Sequence, residues 1–150
     1  MFAVQKNPIK VIEIKDGDNI NNYSELVYRK LDTVTVGVSD KYLKWENGDA
    51  DNGALLEMTN DEKVVIVETE MSTWKAETKL AVVTNGKALI TAKYPQLDKD
   101  AFITGLYPTE LTNAVKADMV NVYQQVQAIK ANIDSATLST KDSVSLVITL

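Results

Sequence analysis

Apolar and polar positions change their period about two thirds of the way along this chain. Phe2 to Gln5 and Ile9 to Ile14 are short apolar runs parted by Asn7-Pro8, and Lys15-Asp16-Gly17-Asp18-Asn19 is a turn cluster. Val34, Val36 and Val38 alternate with Thr33, Thr35 and Gly37, the pattern of a half-buried strand. Val64-Val65-Ile66-Val67 is a continuous β-branched run and predicts a strand covered on both faces. Residues 79–92 read as a β-hairpin, because Asn85-Gly86 supplies the two positive-φ positions of a type I′ turn. Residues 20–32 predict a short helix, with Tyr23, Leu26, Val27, Lys30 and Leu31 on one face and Asn22 or Ser24 as its cap. Trp45 to Gly53 reads as an exposed loop.

Past Pro95 the pattern turns helical. Asp98 to Thr104 predicts a short helical turn that stops at Gly105. From Thr109 to Ile133 the apolar positions Leu111, Val115, Met119, Val122, Val126, Ile129 and Ile133 are spaced 4, 4, 3, 4, 3, 4. Pro108 opens this helix, since a first-turn residue needs no amide donor. A helix of that extent is about 37 Å long at 1.5 Å per residue, against roughly 30 Å for the diameter of a compact domain of this size. The chain closes on Val144, Leu146, Ile148 and Leu150, which share one face of a strand over 143–150. The expected architecture is one α+β domain over 1–150. It is a β-rich antiparallel sheet or sandwich with a hairpin at 79–92, one long helix over about 109–133 packed on it or projecting from it, and a C-terminal strand.

Composition narrows the chemistry. The 150 residues include neither histidine nor cysteine, which removes Ser-His-Asp and Cys-His nucleophilic sites, thiolate or imidazole metal ligation and a disulfide framework. Sixteen basic and 21 acidic side chains leave a formal charge of -5. That charge is uneven: residues 40–70 hold nine acids against three lysines, a local -6, while the rest is nearly balanced. No basic patch with interleaved aromatics opposes it, so no nucleic-acid partner is expected. The apolar runs are too short to cross a bilayer and the first residues lack a signal-peptide layout.

Candidate sites follow from what remains. Glu68 and Glu70 would share one strand face, with Glu57 on a neighbour; the solvated-face reading outweighs a carboxylate pair for catalysis. Asn47-Gly48-Asp49-Ala50-Asp51-Asn52-Gly53 resembles a calcium loop at its first three ligand positions. Asn52 and Met58 stand where the template needs glycine and glutamate, so a turn-rich loop is the expectation. Gly37, Gly48, Gly53 and Gly86 match no phosphate-binding fingerprint, and Asn22-Tyr23-Ser24 is an isolated glycosylation pattern. Tyr42, Trp45 and Trp74 could form an aromatic platform for a sugar or peptide beside the 47–53 loop. The stripe Val115, Met119, Val122, Val126, Ile129 and Ile133 is heptad-like and reads either as core or as an intersubunit seam. Phe2, Val4, Leu146, Ile148 and Leu150, at the two ends, are where augmentation by a neighbouring chain would be natural.

With its β-rich body, long helix, uneven charge and lack of a nucleophile-base pair, the chain resembles the small accessory structural proteins of a bacteriophage virion. Those are capsid decoration, head-completion, ring or tail components. The resemblance is one of general character over the whole chain. It implies location in a virion, partners that are copies of itself or other structural proteins, no enzymatic activity, no cofactor and no metal. The expected interface combines the heptad-like stripe Val115, Met119, Val122, Val126, Ile129 and Ile133 with Leu146, Ile148 and Leu150 of the C-terminal strand. A carbohydrate- or peptide-binding module using Tyr42, Trp45, Trp74 and the 47–53 loop is the alternative, and a cytoplasmic location goes with it.

Overall fold

The computed structural model describes residues 1–34 and 37–150, and these form two compact units, Met1–Ile66 and Val67–Leu150. In the first, β1 (Phe2–Lys6) is the middle strand of an antiparallel sheet, between β2 (Ile9–Glu13) and β3 (Tyr28–Leu31). Its register sets Val4 opposite Val11 on one side and Arg29 on the other. The neighbours Ala3 and Val4 point to opposite faces of a strand, yet both are fully buried, so the middle strand is covered above and below. A second, two-stranded sheet joins β4 (Leu43–Trp45) to β5 (Leu55–Glu57). Leu43 and Trp45 bury its inner side, and the Trp45 indole Nε1 donates to the Lys6 carbonyl at 3.1 Å.

Residues 20–32 are not a helix. A 3-10 turn at Ile20–Asn22 leads into β3, whose pairing with β1 runs from Gln5 opposite Tyr28 to Phe2 opposite Leu31. The ladder of hydrogen bonds to β1 overrides the local 3.6-residue period, whose members Leu26 and Val27 are exposed. Tyr23 packs edge-on against Tyr28, ring centroids 5.3 Å apart. Of the strand expected around Val34 to Val38, Thr35 and Val36 lie outside the described residues, and the flanking residues are not in a strand.

The larger correction concerns 60–93. These residues are one 34-residue helix, α1 (Asn60–Lys93), so neither the strand at 64–67 nor the hairpin at 79–92 exists. A capping box starts it. The Thr59 hydroxyl accepts the Glu62 amide at 3.3 Å, and the Glu62 carboxylate accepts the Thr59 amide at 2.8 Å. Val67, Met71, Trp74, Thr78, Val82, Gly86 and Ile90 then recur every three or four residues along one covered face. Gly86 is not a turn residue. A Cβ there would stand 3.0 Å from Val122 Cγ1 and 3.1 Å from Val126 Cγ2, so glycine is what lets two helices approach.

The second helix of that contact is α3 (Thr109–Ser135), which matches the expected span closely. It runs antiparallel to α1: Asp134 meets Lys79, Val122 and Val126 meet Gly86, and Asp118 meets Tyr94. The connection holds α2 (Lys99–Ile103), capped by the Asp98 carboxylate, which accepts the Ala101 amide at 2.7 Å. Val82, Val122, Val126, Ile129 and Ile133 form the core of this unit, with Trp74, Val83, Ile90, Val144 and Ile148 packed on it.

No strand forms over 143–150. The segment lies against the helices with only Val144 and Ile148 half-buried, four residues apart, while Leu146 and Leu150 are exposed. No partner strand is offered to it; a side chain substitutes. The Gln125 amide donates to the Thr149 carbonyl at 2.7 Å and accepts the Thr149 amide at 3.0 Å. The fold is therefore α+β dominated by two long helices with two small open sheets, not a β-rich sandwich carrying one helix.

Candidate functional site, an apolar groove between two helices

Beside the contact of Gly86 with Val122 and Val126, α1 and α3 border a groove of about 670 Å³. That lies within the range of ligand-sized clefts. Its floor is Val83, Gly86, Val122 and Val126, continuous with the core, and Ile90, Met119 and Tyr123 form its walls. Helical spacing explains the arrangement. Met119, Val122, Tyr123 and Val126 fall at i, i+3, i+4 and i+7 of α3, one face of a helix. Gly86 and Ile90 sit one turn apart on α1. The outer wall is open to solvent, with Met119 at 47 % and Tyr123 at 63 % exposure.

The charged part of the rim has one sign. Lys87, Lys99 and Lys130 border the groove, and among the described residues no carboxylate lines it. Asp134 and Asp118 of this unit are engaged elsewhere. Asp134 pairs with Lys79, and its carbonyl accepts from Lys75 at 2.7 Å, which sets two cations at the negative end of α3. At the other end of the hairpin Asp118 accepts from Lys93 at 2.6 Å and from the Tyr94 hydroxyl. Lys93 first, then Tyr94, holds the Asp118 carboxyl below its ordinary range. The same hydrogen bond, donated to Asp118, with partial desolvation pushes the Tyr94 phenol up.

The residues singled out from the sequence are distributed as follows. Val115, Val122, Val126, Ile129 and Ile133 are buried, and four of them make the core with Val82. Met119 is the member of that stripe that reaches the outer groove wall. Ile148 packs on the core beside Gly86, and Val4 is buried at the middle of the first sheet. Tyr42 and Trp45 belong to the first unit and Trp74 to the second. Trp45 is buried under the Arg29 guanidinium, 5.4 Å from its ring, and Tyr42 lies beside the ammonium groups of Lys41 and Lys63. Each aromatic is thus committed to packing in its own unit.

The 47–53 loop is held by its own groups. Asp49 accepts from the amides of Asn52 at 2.9 Å and Asp51 at 3.0 Å and from the Asn52 side chain, and these bonds, the Asn52 amide foremost, keep its carboxyl below the usual range. Arg29 donates to the Gly53 carbonyl, and Gly53 itself is pressed so close to the carbonyls of Glu46 and Asp49 that no Cβ fits. Asn47 takes a left-handed conformation at φ 55°. Among the described residues no group of three carboxylates is arranged to hold a metal ion. Glu57 pairs with Lys63, and Glu68 and Glu70 stand on α1, where residues two apart point to nearly opposite sides rather than to one strand face.

Lys87, Ile90, Lys99, Tyr123 and Lys130 carry the groove, and none was legible as a site while 79–92 read as a hairpin. The signal that would have found them is the helical period of Val67 through Ile90 together with the Thr59/Glu62 capping box. No helix of the described residues is long and apolar enough to cross a membrane. Comparison with protein-family models, curated proteins and solved structures returns no match.

Proposed function

We propose that the chain is a peptide-docking module that works by seating an apolar, carboxylate-bearing protein segment in the groove between α1 and α3. The observation that carries this reading is the pairing of an apolar floor with a rim of Lys87, Lys99 and Lys130 and no acid. Apolar burial supplies affinity in such a seat, and one-signed rim charge selects the partner and its orientation. The docking surface is helical and belongs to the second unit, whereas Tyr42 and Trp45 belong to the first.

Anilinonaphthalene sulfonate, an apolar anion, probes both properties at once. The native chain binds it with a fluorescence rise at a single class of site. Met119→Glu places a negative charge on the outer wall, where the parent side chain is already half exposed, and weakens that binding about tenfold with helical content retained. Unchanged probe binding in Met119→Glu and in a Lys87→Glu/Lys130→Glu variant would overturn the reading.

A further inference from the structure

The acid-rich stretch of the chain has its own account of charge. Of the nine carboxylates between residues 40 and 70, six are engaged locally. Asp40 accepts the Val11 amide, Glu46 the Ala54 amide and Asp49 the amides of its own loop, while Asp51, Glu57 and Glu62 pair with Lys6, Lys63 and Lys44. Glu70 is engaged as well. Among the described residues the carboxylates of Asp61 and Glu68 make no hydrogen bond or ion pair. These two bracket a pair of exposed valines: Asp61, Val64, Val65 and Glu68 stand at i, i+3, i+4 and i+7 of α1, on one helical face. Val64 is 52 % and Val65 61 % exposed.

That face is the charge complement of the groove. It presents acid, two β-branched apolar side chains and acid along about 10 Å of helix; the groove presents an apolar floor with lysines around it. We infer that the groove of one copy of the chain receives the Asp61–Glu68 face of α1 from a second copy, so that the protein associates with itself. The inference rests on the docking reading above and names its partner. Two seats exchanged reciprocally close a twofold pair, in which each copy gives a stripe and receives one. One seat alone falls short of the roughly 800 Å² per partner of a stable interface, so the reciprocal form is the expected one.

The test uses charge reversal on the 150-residue chain and sedimentation over a range of concentrations. One variant carries Asp61→Lys and Glu68→Lys; another carries Lys87→Glu, Lys99→Glu and Lys130→Glu. In either, stripe and groove have like charge, and the dissociation constant rises at least tenfold. Mixed, they complement each other in both seats, and the association returns to within a few-fold of the native chain. Val64→Ser/Val65→Ser, with every charge retained, also dissociates the pair, which covers the case that a reversed variant fails to fold. A native chain that stays monomeric while still binding the sulfonate probe at Met119 overturns the partner and leaves the docking reading standing. A monomer that binds no probe removes both, and a native dimer indifferent to both reversals overturns the partner.

Discussion

Alanine at position 85 and alanine at position 86 have opposite consequences, and the difference measures how closely the two helices meet. Asn85 is exposed on α1, and alanine is better than asparagine in a helix interior by about 0.6 kcal/mol. Asn85→Ala therefore stabilises the chain by about half a kcal/mol. At Gly86 the same gain, about 0.8 to 1.0 kcal/mol, meets an obstacle. The added Cβ stands 3.0 Å from Val122 Cγ1 and 3.1 Å from Val126 Cγ2, short of ordinary contact on two sides. Both valines are buried and β-branched, with one strongly preferred rotamer in a helix, so neither yields by turning. Overpacking of this kind costs about 1 to 3 kcal/mol. The balance is a loss of about 1 kcal/mol for Gly86→Ala. Urea unfolding followed by far-ultraviolet circular dichroism reads both values. A double variant with Val122→Ala recovers the helix gain at 86, because one of the two obstructing methyl groups is gone. Stabilisation of about 1 kcal/mol by Gly86→Ala in the native background would refute the close approach. Destabilisation by Asn85→Ala would restore the turn, since alanine there must take a positive φ.

Three further outcomes follow from the same geometry. Thr59→Ala removes the hydroxyl of the capping box and costs about 1 kcal/mol, read by urea unfolding, with the loss of protection in hydrogen exchange concentrated in the first turn of α1. Asp118→Asn changes the acid limb of stability. The carboxyl is held below its ordinary range in the folded chain, so its contribution is present above about pH 4 and is lost as pH falls through the folded value; the variant shows a flatter decline there. It also returns the raised Tyr94 phenol towards its ordinary value, seen as an earlier tyrosinate absorbance in an alkaline titration. Gln125→Glu replaces the donor facing the Thr149 carbonyl by an acceptor. Carboxypeptidase then releases the last residues faster, with helical content unchanged.

Legibility in the sequence followed the balance between local and long-range forces. The 109–133 span declared itself because its apolar spacing, its opening proline and the absence of breakers all agree. β1 and β2 were legible for a similar reason, with Asn7-Pro8 between two apolar runs. The helix over 60–93 was masked by two strong local signals pointing the wrong way. Val64 to Val67 is β-branched throughout, and Asn85-Gly86 is the best short hairpin signal available. Both were overridden by a cap, by the lack of proline over 34 residues and by the packing of Val82 against α3. Glycine carries two meanings in sequence, turn and close approach, and only the partner surface at Val122 and Val126 decides between them. The groove went unread with the helix, since half of it is α1. On α3, Met119 stood out by its period while Tyr123 and Lys130 did not.

Nine of the fifteen lysines separate into two chemical populations. Lys6, Lys44, Lys63, Lys75, Lys79 and Lys93 spend their ammonium groups on carboxylates or carbonyls. Lys87, Lys99 and Lys130 make no ion pair among the described residues and border the groove. An amine-acylating reagent at low dose would mark the second group ahead of the first. The ratio of labelling at positions 87, 99 and 130 to that at 75 and 79 is then an internal gauge of how often the groove is filled, readable by mass spectrometry in any mixture where the chain occurs.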